Sequence, residues 1–125
     1  MNITHALKEF GGLHGRPDLH LPAGSSISLD LPDLPLTIEE NGDELLLLTG
    51  FAAPFLATER LIAMLKSCEQ RAARPDERGL QIGTRGQASE LWVIAALRWP
   101  AQQVSAAQLQ QGAMQLRRFR ESWAP

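Results

Sequence analysis

The residues of this chain that could do chemistry are three histidines, one cysteine and a few charge and glycine clusters. His5, His14 and His20 form no H-x-x-x-H or H-E-x-x-H pair, and the only cysteine, Cys68, lies far from them in sequence. A zinc site needs three or four such ligands at helical or hairpin spacing, so the histidines read as surface or loop side chains. Asp18 and His20 have the spacing of a base and its orienter, but they sit between Pro17 and Pro22 in a connector. Cys68 falls on the apolar face of an expected helix. A reactive thiolate wants an exposed, electropositive setting, so this thiol reads as a packing group. Gly79, Gly83 and Gly86 imitate a phosphate loop only in composition, because no Lys-Ser or Lys-Thr follows. Glu39, Glu40, Asp43 and Glu44 flank a turn without the spacing of an EF-hand and read as a solvated tip. Arg117, Arg118 and Arg120 have no aromatic platform beside them in sequence for stacking RNA bases. Near a helix C-terminus they complement the helix dipole. No metal, no cofactor and no nucleophile–base pair is expected, so the chain reads as something other than an enzyme.

The elements that must position these residues follow from the apolar period. Residues 2–14 read as a short helix with Ile3, Leu7 and Phe10 on one face and Asn2 as its cap. Residues 16–24 are a connector. From Ser26 the period becomes two, with Ile27, Leu29 and Leu31 alternating with polar residues. Pro32-Asp33 turns the chain into a strand carrying Leu36 and Ile38. Asn41-Gly42 reads as the two-residue loop of a hairpin, which sets Ile38 opposite Leu45 and Leu36 opposite Leu47. Glu44–Leu48 returns, apolar on both faces. Thr58 is expected to cap a helix to about Arg71, with Leu61, Leu65, Cys68 and Ala72 on one face and Ile62 beside it. Arg74–Gly79 is a polar loop, Leu80–Gly83 a short strand, Arg85–Ser89 a turn region, and Leu91–Trp99 a long apolar strand ended by Pro100. Ser105 caps a last helix to Ser122, with Leu109, Ala113, Leu116, Phe119 or Arg120, and Trp123 on its face. The fold class is α+β: a two-layer sandwich in the order α-β-β-β-α-β-β-α, a small antiparallel sheet packed with three helices in one domain over 1–125.

Composition bounds the function. With 12 basic and 14 acidic side chains in 125 residues the net charge is −2, too little and of the wrong sign for general attraction to nucleic acid. No apolar run approaches the roughly 20 residues that span a bilayer, and a single cysteine fits a reducing compartment. No nucleic-acid or membrane partner is expected, and the expected location is the cytoplasm. What the pattern leaves over is apolar surface. Leu45–Leu48 and Leu91–Leu97 are apolar on both faces, and Phe51, Pro54, Phe55 and Leu56 follow the first of them. A second apolar face on such a small sheet marks a partner surface, unless helices cover both faces.

The stretches Ile27–Leu31 and Leu36–Leu48, the Leu61–Ala72 helix, the Gly79–Gly83 strand, Glu90–Ile94 and the terminal helix ending at Trp123 together resemble the class I type III secretion chaperones, the CesT/Tir-chaperone-like proteins of Gram-negative bacteria. The likeness covers nearly the whole chain and rests on size, element order and mild acidity. The Arg117–Arg120 cluster departs from it. The resemblance implies a cytoplasmic, non-enzymatic protein that holds an extended N-terminal segment of a secreted effector or regulator. It also implies a homodimer or a heterodimer with a second chaperone chain. A general adaptor domain unrelated to secretion and, further off, a small enzyme are the alternatives. The surplus apolar surface places the dimer interface on Ile62, Leu91, Trp92, Val93 and Ile94. The client groove is expected between the first helix and the sheet, on Leu7, Phe10, Leu46 and Leu48.

Overall fold

A computed structural model describes residues 3–22, 24–72 and 78–125. The helices are α1 (Ile3–Leu13), α2 (Thr58–Ala72) and α3 (Ala106–Trp123). The strands are β1 (Ser26–Leu31), β2 (Leu34–Asn41), β3 (Glu44–Ala52), β4 (Gln81–Arg85) and β5 (Trp92–Pro100). Element order and fold class are those expected from the sequence. The five strands form one antiparallel sheet in the order β1-β2-β3-β5-β4. The expected cap Asn2, Ala23 of the connector and residues 74–77 of the polar loop lie outside the described residues, as does the Ala72 side chain on the α2 face. Among the described residues no helix is long and apolar enough to cross a membrane.

Strand alternation sorts the sheet into two faces. Leu29, Leu36, Ile38, Leu47, Val93 and Leu97 point to one of them and join a single core with α1 and α3. Helix α3 lies close on that face because residue 112 is glycine. A Cβ there would come within 2.6 Å of the Trp99 ring. The Ser105 hydroxyl accepts the Gln108 N–H at 3.2 Å, and the Gln108 side chain accepts the Ser105 N–H at 2.8 Å. This reciprocal box satisfies two backbone donors that would otherwise lack partners. Helix α2 begins at Thr58 itself. The preceding Ala57 carbonyl accepts from Arg60 and Leu61 N–H, so Thr58 is the first helical residue and not the cap. The chain enters β4 under a clamp. Buried Gln115 donates to the Arg78 carbonyl at 2.7 Å and accepts the Arg78 N–H at 3.2 Å, and the Arg78 guanidinium lies over Trp99, 5.2 Å from the ring centre.

The β2–β3 hairpin keeps its expected faces but not its expected register. Asn41 pairs with Glu44 and Ile38 with Leu47, so the two loop residues are Gly42 and Asp43. Only Gly42 has positive φ (64°), whereas a loop of Asn41 and Gly42 needs it at both. The shift is two residues, so every side chain stays on its side of the sheet.

Candidate interaction surface

Among the described residues the second face of the sheet carries no helix. Its side chains form rows set by the strand pairing, beyond an end row of Asn41, Glu44 and Pro100. Ser26, Glu39, Leu46 and Arg98 make the first row. Ser28, Thr37, Leu48, Ala96 and Gln81 make the second. Asp30, Pro35, Gly50, Ile94 and Gly83 make the third, and Ala52, Trp92 and Arg85 the fourth. The β1–β2 side is hydroxyl-rich and acidic. The centre is apolar along Leu48, Ile94 and Trp92, and the β4 side ends in Arg85. Leu46 is only 6% exposed in the first row, where Arg98 pairs with Glu44 at 3.6 Å and donates to Gln81 at 2.6 Å.

Two features open a cleft of about 980 Å³ between the strands, lined on this face by Leu48, Gly50, Trp92, Ile94 and Arg85 and toward the helices by Leu36, Thr49, Phe51 and Arg120, among others. The first is Pro35. It has no N–H to give the ladder, and β2–β3 pairing stops at Thr37–Leu48. Beyond that point Thr49, buried on the core side, donates its hydroxyl to the Pro35 carbonyl at 2.7 Å. Arg120, reaching from α3, donates to the Gly50 carbonyl, and Arg117 donates to the Pro32 carbonyl at 3.3 Å. Two arginines of the C-terminal cluster therefore tie the last helix to the parted strands. The second feature is Gly50. A Cβ there would lie 2.8 Å from the Ile94 side chain and 3.0 Å from the Val93 carbonyl oxygen, so its absence lets Ile94 and the β5 backbone lie close over β3. Beyond the sheet, Ala53 N–H bonds to Leu91 carbonyl and Phe55 N–H to Ala88 carbonyl, both at 2.9 Å. Phe55 and Ala88 each hold φ above 50°, a conformation that costs a residue with a side chain about 1 kcal/mol. This contact leaves Phe55 73% exposed.

A second apolar surface lies on the helical layer. Helix α2 buries Met64 and Cys68, yet Ile62 is 46% and Leu65 42% exposed. Its ends differ in attachment. Arg60 donates to the Trp123 carbonyl at 3.2 Å and lies 5.0 Å from that ring's centre, while Cys68 meets Leu80, Phe119 and Trp123 around a small void.

The residues expected in the two sites are redistributed. Leu7 and Phe10 are enclosed, at 2% and 0% exposure, because α1 turns that face onto the core beside α3. They present no groove. Val93 is core as well, since it alternates to the helix side of β5. Trp92 and Ile94 share the open face with Leu46 and Leu48, so residues assigned to two sites form one. Leu91 is half-buried just before β5, where its carbonyl accepts from Ala53 N–H, and Ile62 lies on α2. Arg85, Arg120, Gly50 and Leu65 complete the two surfaces. A glycine inside a strand pattern was the available signal for Gly50. For the arginines there was none.

No family model and no curated protein matches this sequence. Solved structures do match. A chain of the HopA1–SchA chaperone–effector complex has a TM-score of 0.70 at 16% identity, covering 94% of this chain and 89% of that one. A chain of the heterodimeric ExoU–SpcU complex from the type III secretion system of Pseudomonas aeruginosa has a TM-score of 0.63 at 12% identity, covering 95% of both. The fold is that of the class I type III secretion chaperones. It is also shared with YbjN of E. coli, whose role as a transcription regulator is itself only proposed, at TM-score 0.62 and 13% identity over 90% of this chain and 84% of that one.

Proposed function

We propose that this chain is a cytoplasmic class I type III secretion chaperone. It binds an extended segment, N-terminal in its client, of a secreted effector or regulator and keeps it soluble and competent for secretion. It works as a dimer with itself or with a second chaperone chain, and it catalyses nothing. The observation that carries this reading is the presence of two separated apolar surfaces, the cleft on the open face and the Ile62–Leu65 stripe of α2, on a fold found in chaperone–effector complexes. A protein that needs one partner needs one such surface. Here one suits a second chaperone chain and the other suits a client. An extended client repeats its side chains every second residue, the period of the rows it would lie on. Leu48, Ile94, Trp92 and the rim of Leu46 form the client surface in this reading, and Ile62 with Leu65 the dimer surface.

The test is co-expression with the products of neighbouring genes, followed by size-exclusion chromatography and pull-down. A dimer that retains a secreted protein through that protein's N-terminal region is the expected result. A monomer that retains none excludes the reading. The shared fold of YbjN favours one alternative, an adaptor domain outside secretion. Capture only of partners that are never secreted would establish it.

A further inference from the structure

We infer that the cleft on the open face selects an extended segment with aliphatic residues at alternate positions and a side-chain carboxylate at one end, which docks on Arg85. The inference takes from the proposed function only that the occupant is an extended peptide. It adds the end of the cleft at which that peptide's charged side chain sits and the sign of that charge.

Shape argues for an extended chain. From the Leu46 row to the Trp92 row is six residues of β5, roughly 20 Å at the rise of an antiparallel strand. Leu48, Ile94 and Trp92 stand along that length at two-residue steps, the repeat of side chains on one face of a second extended chain. A compact ligand would leave most of the cleft wet.

Charge argues for the carboxylate and for its place. At the Leu46 end the guanidinium of Arg98 is already engaged by Glu44 and Gln81. At the Trp92 end Arg85 lines the cleft, opposite Trp92 in register, with no ion pair among the described residues. Arg120 lies in the same cleft, held at the Gly50 carbonyl. The carboxylates that line the cleft, Asp30 and Glu39, stand on the β1–β2 wall, where they disfavour an acidic side chain and steer it toward β4. A guanidinium beside an exposed tryptophan is also the composition of residues that dominate binding energy at interfaces.

The probe is a set of three fluorescein-labelled synthetic peptides. Each alternates serine with valine, leucine and isoleucine, ends in Asp, Asn or Lys, and is amidated so that no terminal carboxylate contributes. Fluorescence anisotropy with the wild-type chain should rank Asp over Asn by about fivefold, with Lys weaker still. Added salt should flatten the ranking. Arg85→Glu, checked for folding by circular dichroism, should reverse the order, and Arg85→Ala should level it. Equal affinity for the three peptides, binding of none, or an Asp preference that survives in folded Arg85→Glu overturns the inference. A secreted client captured equally by wild type and Arg85→Glu also overturns it, and leaves the chaperone reading standing. The carboxylate preference in a chain that captures no secreted protein supports the inference and removes the chaperone reading.

Discussion

Helices α3 and α2 are both amphipathic, and they meet opposite fates. Over 18 residues α3 buries Leu109, Ala113, Leu116 and Phe119 against the sheet. Over 15 residues α2 buries Met64 and Cys68 and leaves Ile62 and Leu65 in solvent. The difference lies in what each helix faces. Beneath α3 run β2, β3 and β5 with large aliphatic side chains. Beside α2 the short strand β4 offers half-buried Ile82 and the segment before it Leu80. An apolar stripe marks surface that must be covered. Whether the same chain or another one covers it depends on the area of the neighbouring element.

The largest expected effect tests the docked helix. Leu116→Ala should cost about 2–5 kcal/mol in urea unfolding, and Leu65→Ala less than about 0.5 kcal/mol in the isolated protomer. Equal costs would mean that α2 is packed as tightly as α3. Gly112→Val comes next, at about 1–3 kcal/mol, because the new side chain must displace Trp99. The near-ultraviolet circular dichroism of that ring should change with it. Ser105→Ala should cost about 1 kcal/mol, measured by thermal unfolding. A cost near zero would show that packing alone holds the start of α3. Smallest for the fold is Ile62→Asp, within about 0.5 kcal/mol of wild type for the protomer. If the proposed dimer forms through this stripe, sedimentation should show the wild type dimeric and Ile62→Asp monomeric. Should the variant remain dimeric, the second chain docks elsewhere.

The fold was legible because each element carried a local signature. Ser105 announced α3, and the alternation of Ile27, Leu29 and Leu31 announced β1. The surfaces were only half legible. Alternation separates Leu46 and Leu48 from the core face of Leu45 and Leu47, but it does not show that Leu46 is almost enclosed there. Leu7 and Phe10 were misread because a helix too short to stand alone says nothing about which side it leans on. Val93 was misread because a run of apolar residues hides its own parity until a register is known. The two-residue shift at Asn41–Glu44 followed from a backbone dihedral that residue type only biases. Arg120 reads as a dipole partner in sequence. Its bond to Gly50 joins residues 70 apart, and no local pattern contains that.

Gly50 gives the cleft a depth that can be set by one atom. With only hydrogen at residue 50, Ile94 reclines on β3. A methyl group at that point would stand 2.8 Å from the Ile94 side chain and tip it outward. A Gly50→Ala protein would therefore offer a raised crest where the natural chain offers a hollow, and β5 would have to give at the Val93 carbonyl, 3.0 Å from the new methyl. Substrate gauges work this way: a fixed stop decides how bulky a side chain can lie beneath the bar. If a client lies in this cleft as proposed, residue 50 sets how bulky a side chain fits there, separately from the charge at Arg85.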